Sequence, residues 1–192
     1  LPQAMNNLAA LHVDGKGVPI TYAIARHWYS KAAEAGNAVA QYNFALMLGR
    51  GQGAPRNDAL MVHWLQRAAA AGLARAQAQL GRLYLDGVGI KTNPEIAAEW
   101  FRKAALQNDM HGQYHLAMLL KGSPRMPQNQ DEARNWLERS AAQGHPLAHW
   151  ELARAFEGGI GVEANNPLAL QHYEAAARAG HTGAMKRLQD AY

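Results

Sequence analysis

The stretch WYSKAAEAG, residues 28–36, recurs along the chain and decides the fold. Four related segments follow it, and each begins 36 residues after the one before. They are WLQRAAAAG from Trp64, WFRKAALQN from Trp100, WLERSAAQG from Trp136 and HYEAAARAG from His172. A constant period of this length is typical of repeat proteins, in which each unit packs mainly against its neighbours.

A second pattern precedes each of these segments. It reads AMNNLAALHVDGKG from Ala4, and its equivalents begin at Ala40, Ala76, Gly112 and Ala148, with a partial copy from Ala184. Apolar residues recur in it at helical spacing. A large residue such as Leu8 is followed in each full unit by a small one such as Ala9, which favours close packing of helices.

Glycines mark the predicted helix ends, because glycine adopts the positive φ that such ends require. A Gly-x-Gly step ends a first helix over about residues 3–14, and Gly36 ends a second helix over about 21–35. Asn108 replaces the last glycine in unit three, and Pro124 and Pro127 are predicted to form the turn of unit four.

These patterns predict an all-α protein. We expect a solenoid of five 36-residue helix-turn-helix repeats, which start near residues 4, 40, 76, 112 and 148, with a partial sixth at 184. The repeats are predicted to form one domain over residues 1–192.

The repeat resembles the Sel1-like repeat, a relative of the tetratricopeptide repeat. The resemblance rests on A-x3-L-[AG]-x2-[LY], then G-x-G-[VAI], then [WH]-[YLF]-x2-[AS]-A-x2-[GN], over residues 4–192. It implies a right-handed superhelix with a concave face, and an adaptor or scaffold function. Many bacterial members are periplasmic or secreted, some support envelope polysaccharide export, and enzymatic activity is not a general property of the family.

The composition excludes several classes of function. The chain has no cysteine, so it has no disulfide framework, thiolate metal site or cysteine nucleophile. Its net charge is +4, with 9 basic and 5 acidic residues in 1–96 and 10 of each in 97–192. This mild excess of basic residues is not the dense basic stripe that is typical of nucleic-acid-binding proteins. No apolar run is long enough for a membrane span. The resemblance slightly favours a periplasmic or secreted location over a cytoplasmic one.

One position of the first helix varies too widely to be a core position. The four tryptophans at 36-residue spacing are predicted to be core, but Trp150 lies in another register, equivalent to Tyr42, Tyr114 and Lys186. By similarity to tetratricopeptide repeats this position faces the groove, and Tyr, Trp and Arg are enriched at binding hot spots. The predicted groove contains Tyr42, Tyr114, Trp150, Arg75, Arg82 and Arg154. In the alternative interpretation, the aromatic residues only cover a seam between repeats.

The sequence therefore predicts a non-enzymatic adaptor that binds a protein or extended peptide in its groove. Acidic or C-terminal carboxylate ligands would suit the arginines. The alternative is a bacterial envelope protein that binds a glycan or supports polysaccharide export, whereas RNA binding is disfavoured. We expect no catalytic motif and no cofactor. We also expect no metal site, because the i, i+4 pairs His111/His115 and His145/His149 fit polar surface and helix ends better than metal ligands.

The end of the sequence predicts either a longer array or self-association. Leu188 and Tyr192 occupy core positions of the partial sixth repeat, and no second helix follows to cover them. Since solenoids normally end in a polar cap, we expect either a longer natural array or a contact of this apolar end with another molecule. The helical pattern is already under way at Leu1, so we also expect that a leader or earlier repeats have been removed.

Overall fold

A computed structural model describes residues 1–122 and 129–190 of the chain. In these ranges the chain forms α-helices joined by turns and contains no strand. The first helices of the units are α1 (Pro2–Asp14), α3 (Ala38–Arg50), α5 (Ala74–Asp86), α7 (Met110–Gly122), α9 (Pro146–Gly158) and α11 (Thr182–Gln189). The second helices are α2 (Tyr22–Glu34), α4 (Asp58–Ala70), α6 (Pro94–Leu106), α8 (Gln130–Ala142) and α10 (Asn166–Arg178). Equivalent helices start 36 residues apart, so the predicted all-α class and helix-turn-helix repeat are confirmed.

The chain divides into two compact units, Leu1–Trp100 and Phe101–Tyr192, with the boundary inside α6. In the first unit a continuous buried core extends from Ala9 to Leu83. In the second unit, Tyr173 of α10 is buried in a cluster that also includes Ala184 of α11. The single domain over residues 1–192 stays a prediction.

Asparagine starts most of the second helices. The Asn57 Oδ1 atom accepts a hydrogen bond from the Leu60 amide at 2.9 Å, which caps α4. The Asn57 amide in turn donates to the Leu48 carbonyl of α3 at 3.0 Å. The same pair of bonds recurs at three later asparagines, Asn93, Asn129 and Asn165. One residue therefore both begins the second helix and ties it to the first helix of its unit.

The second helices end in a left-handed residue, as predicted. The residues that follow them have φ between 64° and 92°: Gly36, Gly72, Asn108, Gly144 and Gly180. Asn108, the only non-glycine with positive φ among the described residues, also accepts a hydrogen bond from Gln113 at 3.0 Å. The predicted turn around Pro124 and Pro127 lies outside the described residues.

The residue that follows each tryptophan position is a more constant core residue than the tryptophan itself. Trp64 and Trp136 are buried, as predicted, but Trp28 and Trp100 pack on the core with part of the ring exposed. The next residue is at most 5% exposed in every unit: Tyr29, Leu65, Phe101, Leu137 and Tyr173. The main knob of the second helix is therefore this residue, whose type varies among Tyr, Leu and Phe.

A buried glutamine joins each of the second, third and fourth repeats to the helix before it. Gln77 of α5 donates from Nε2 to the Ala69 carbonyl of α4 at 3.1 Å. The same carbonyl oxygen also accepts a hydrogen bond from the Gly72 amide at 3.0 Å. The glutamine therefore donates to the second lone pair of the Ala69 oxygen. Gln41 and Gln113 make the same bond to the preceding second helix.

Gly49 and Met61 reverse the sizes found at the same two positions of the other units. Elsewhere the first helix has a larger residue and the second helix has alanine: Val13 with Ala25, Leu85 with Ala97, Lys121 with Ala133 and Glu157 with Ala169. A Cβ atom added to Gly49 would lie 2.4 Å from the Met61 Sδ atom. The methionine side chain therefore lies where it does because residue 49 has no side chain.

We expect Gln77→Met to lower the free energy of unfolding by about 1 kcal/mol, because it removes a buried hydrogen bond while it roughly keeps the volume. Urea denaturation monitored by circular dichroism measures the change. The matched control is Gln66→Met on the exposed face of α4, for which we expect a change within about 0.5 kcal/mol. Equal effects of the two substitutions would contradict the role of Gln77.

Gly49→Leu and Met61→Ala should be strongly coupled. Alone, Met61→Ala leaves a cavity and should cost about 2–5 kcal/mol, and Gly49→Leu forces the two side chains together. The double variant restores the Leu and Ala pair of unit three, so its loss should fall short of the sum by about 1 kcal/mol or more. Additive effects in a denaturation cycle would show that the two positions do not exchange volume.

Candidate functional site

The structure divides the six predicted groove residues between the two units. Tyr42, Arg75 and Arg82 lie in the first unit, and Tyr114, Trp150 and Arg154 lie in the second. All six are on first helices, as the repeat pattern requires. Their surroundings differ between the units.

The first-unit cleft is an open depression of about 380 Å³ between α3, α4 and α5. It brings together two of the predicted groove residues, Tyr42 and Arg82, with Leu46 between them in the sequence. The full lining is Tyr42, Leu46, Gly49, Arg50, Arg56, Asp58, Met61, Gln79, Arg82, Leu83, Asp86 and Val88. The packing exchange at Gly49 and Met61 thus lies in the wall of this cleft.

The cleft combines an apolar base with a charged rim. Its most buried residues are Met61 and Leu83, which are 6% and 3% exposed. On the rim Arg56 pairs with Asp58 at 2.7 Å, and Arg82 pairs more loosely with Asp86 at 3.5 Å. Exposed ion pairs of this kind are weak and exchange readily with water or a ligand.

Arg50 is the cation of the rim that is available for a ligand. Its guanidinium forms no ion pair, hydrogen bond or ring contact with any residue in the described part of the chain. Three arginines face two aspartates in the lining, so the cleft carries a net positive charge. Such a rim favours a ligand with a carboxylate.

Arg75 lies beside Tyr42 and outside the lining of the cleft. Its guanidinium carbon is 5.9 Å from the centre of the tyrosine ring, near the outer limit of a cation–π contact. The contact leaves the guanidinium exposed, next to the aromatic residue that lines the cleft.

In the second unit the predicted groove aromatics pack on histidines. Tyr114 stacks on His145 with ring centres 4.7 Å apart, and Trp150 stacks on His181 at 4.6 Å. The two stacks are equivalent contacts one repeat apart, and each joins the first helices of consecutive repeats. Burial, with a smaller contribution from the charge of Glu151, raises the pKa of Tyr114. Both rings are half-buried, so these aromatics serve the seam between repeats.

Arg154 belongs to a small ionic group on the same surface. It lies 3.7 Å from the Glu151 carboxylate, which also pairs with Lys121 at 2.7 Å. The Glu151 side chain is only 11% exposed, whereas 57% of the Arg154 side chain is exposed. Of the three predicted contacts in the second unit, Arg154 is the most accessible.

The second-unit cleft, of about 330 Å³, lies between α9, α10 and α11. Its lining is Glu157, Asn166, Ala169, Leu170, Tyr173, Arg187 and Leu188. The Tyr173 hydroxyl donates to Glu157 at 2.6 Å, and Arg187 also pairs with that carboxylate. Burial and the Glu157 carboxylate raise the pKa of Tyr173 to about 12. The equivalent space one repeat earlier is only about 30 Å³, because the turn residues Ile160, Gly161 and Val162 lie there.

Sequence reasoning missed several residues of the first-unit cleft. Arg50, Arg56 and Met61 were not among the predicted contacts. The sequence does contain a signal for this cleft, because Gly49 and Met61 are the positions where the second repeat departs from the other repeats. It is recognisable as a signal only when the two positions are known to face each other.

The described residues contain neither a metal-binding cluster nor a membrane span. No group of three or more His, Asp or Glu side chains in residues 1–122 and 129–190 is arranged to hold a metal ion. In the same ranges, every helix is too short or too polar to cross a bilayer.

Comparison with solved structures identifies bacterial repeat proteins of the same fold. A Sel1 repeat protein from Oxalobacter formigenes is 30% identical, with a TM-score of 0.92, over 98% of this chain and 75% of that one. A protective antigen of uropathogenic Escherichia coli strains, described as displaying an SLR fold, is 29% identical with a TM-score of 0.88. The alignment covers 100% of this chain but 41% of the antigen. An immunity protein from Pseudomonas aeruginosa, 22% identical over 95% of this chain and 67% of that one, shares the fold with a TM-score of 0.62.

The repeats themselves match a family model. None of the curated proteins is significantly similar to the chain. Five segments match the Sel1 repeat: residues 2–37, 38–73, 74–109, 111–145 and 146–181. These segments cover nearly all of the chain and agree with the helix pairs described above. The chain belongs to the Sel1 repeat family.

Proposed function

We propose that this protein is a non-catalytic adaptor that binds an extended segment of a partner protein in the first-unit cleft. Sel1 repeat proteins generally mediate protein–protein interactions, and the family is typically non-catalytic. The observation that carries the proposal is the cleft itself, in which Tyr42, Leu46 and Arg82 share one surface.

The lining of the cleft suggests the chemistry of the ligand. Its volume of about 380 Å³ accommodates one or two side chains but not a folded domain. The apolar base around Met61 and Leu83 suits an apolar side chain, and methionine adapts readily to different shapes. The unpaired Arg50 on the rim suits a carboxylate. The best ligand is therefore an extended peptide in which an apolar residue lies beside an acidic residue or a free C-terminus.

The second-unit residues have a different place in the proposal. Arg154 remains a proposed contact because most of its side chain is exposed. Tyr114 and Trp150 also remain proposed contacts, but one face of each ring already packs on a histidine. Their replacement should therefore affect stability as well as binding, and this distinguishes a seam residue from a pure contact residue.

The cleft is tested with peptides selected from a random phage-displayed library on the wild-type protein. In fluorescence anisotropy, Tyr42→Ala and the double variant Arg50→Ala/Arg82→Ala should each weaken the selected peptides by about tenfold or more. The unfolding midpoint of the arginine double variant should stay close to that of wild type, because both side chains are exposed. Tyr42→Ala also removes a partly buried ring that packs on the core, so its midpoint should fall somewhat.

Lys31→Ala, an exposed cation of α2 outside the cleft, is the matched control and should leave affinity unchanged. Failure of the library to yield any binder, or equal affinity of wild type and the Arg50/Arg82 variant, would rule out the cleft. Enrichment on an oligosaccharide array instead of the peptide library would favour the glycan alternative, which no comparison supports.

We also propose that the second-unit cleft accepts the glycine turn of a second copy of the chain. The supporting observation is the equivalent space one repeat earlier, where Gly161 and its neighbours fill the cleft. There the Arg134 guanidinium donates to the Gly161 carbonyl at 2.7 Å, whereas the second-unit cleft has Leu170 at the equivalent position. The Gly15-Lys16-Gly17 turn of another copy has the same pattern of glycines.

In multi-angle light scattering, the average mass of wild type should rise with protein concentration. Leu170→Asp places a charge in the cleft and should hold the chain at the monomer mass. Gln171→Asp, its exposed neighbour on α10, is the control and should associate as wild type does. A wild-type mass that stays monomeric at all concentrations would contradict self-association.

A further inference from the structure

A cluster of histidines lies where repeats four and five meet, outside the first-unit cleft. It contains His111 and His115 of α7, His145 just before α9, His149 of α9 and His172 of α10. The His111 Nδ1 atom is 3.2 Å from the His145 Nε2 atom. The Nδ1 atoms of His149 and His172 are 2.9 Å apart. Two ring-to-ring hydrogen bonds are thus built into this part of the repeat array.

His149 and His172 occupy positions that other repeats fill with residues of other types, and His145 occupies a cap position that is also histidine in the next repeat, at His181. Position 145 is equivalent to Asn37, which caps α3, and position 149 is equivalent to the buried Gln113. Position 172 is equivalent to the four tryptophans. The backbone of Ala141, the residue equivalent to Ala105, lies near the His149 ring and opposes the lowering of its pKa. Imidazole rings therefore replace groups that do not titrate near neutral pH.

The hydrogen bonds of His145 hold only when its ring is neutral and the Nδ1 atom of His111 carries no proton. The His145 Nδ1 atom accepts the Ala148 amide at 3.3 Å, so this nitrogen carries no proton. The proton of His145 is then on Nε2, which donates to His111. A second proton on His145 would turn its helix cap into a contact between two N–H groups. In the pair of His149 and His172, likewise, only one of the two Nδ1 atoms can carry a proton.

The surrounding charges do not favour protonation. The groups that act on His145 are His111, His115 and His149, and Arg178 acts on His149. All of them are cations when protonated. The neighbouring Glu151 carboxylate, which acts on Tyr114, already pairs with Lys121 and Arg154. Protonation of these histidines is therefore opposed by the positive charge of their neighbours in a half-buried seam.

The pKa values have the direction that this geometry requires. Burial, followed by the charges of the other histidines, lowers the pKa of His145 from 6.5 to about 4. Burial also lowers the pKa of His149, against an opposing hydrogen bond to Ala141, and the pKa of His172. A group with a lowered folded-state pKa binds more protons when unfolded. Its contribution to stability is therefore complete above about pH 6.5 and is lost as the pH falls toward 4.

We propose that the histidine cluster is an acid-sensitive joint between repeats four and five. Mild acid weakens the contacts of α9 with α8 and α10, while the first unit keeps its packing. With the pKa values above, His145 alone favours local opening by about twentyfold more at pH 5 than at pH 7. Opening also frees the Tyr114 ring from its stack on His145, so acid changes the surface that this unit presents.

Hydrogen exchange of the full chain, measured by mass spectrometry at pH 5 and pH 7 and corrected for intrinsic rates, tests the joint. In wild type, exchange in α9 and α10 should rise at pH 5 by about twentyfold, while α3 to α5 should change little. The variant His145→Asn/His149→Gln/His172→Trp carries the residues that other repeats have at these positions, and it should lose this pH dependence. His63→Gln, on the exposed face of α4, is the control and should behave as wild type.

Unchanged exchange of α9 and α10 in wild type at pH 5, or the same increase in the triple variant, would overturn the proposal. Titration of the histidine side chains of wild type by nuclear magnetic resonance supplies a second criterion that needs no variant. The pKa of His145 should lie well below 6.5, and a value at or above 6.5 would also overturn the proposal.

Discussion

The hydrogen bond from a buried side chain of one repeat to the last turn of the preceding repeat is the constraint on which the array depends. Gln41, Gln77 and Gln113 donate to a carbonyl of the helix before them, and the fifth repeat has His149 at the equivalent position. A buried N–H group without a partner is costly, so the bond favours one register in which consecutive repeats pack. It also explains the constant spacing, since one inserted residue would move donor and acceptor apart.

The first-unit cleft follows from a local change within this constant frame. The backbone of the second repeat is equivalent to that of its neighbours, but Gly49 and Met61 reverse the usual distribution of side-chain volume. The methionine then contributes a soft apolar wall, and the guanidinium of Arg50 stands at the rim. A repeat protein can acquire an individual cleft in this way, because a few side chains change and the helix ends and caps are untouched.

The second unit uses its variable positions differently. Tyr114 and Trp150 lie at the same repeat position as Tyr42, yet each stacks on the histidine that precedes the next first helix. At the corresponding position after Tyr42 the chain has Leu73, and Arg75 lies beside the tyrosine ring instead. The residue at the start of the next repeat therefore decides whether the aromatic ring closes a seam or lines a cleft. The histidines that close the seam also bring titratable groups into it.

The sequence by itself determined the helices, their ends and the repeat family. The 36-residue period, the glycine stops and Asn108 were sufficient, because helix capping and periodic burial depend on local residue type. It also placed Tyr42, Arg75 and Arg82 on one side of the first helices. Only the tertiary structure decided that Gly49 faces Met61, that Arg50 is unpaired and that His149 meets His172. These contacts join residues on different helices, and volume and proton sharing between them depend on distances of a few tenths of an ångström that no periodicity encodes.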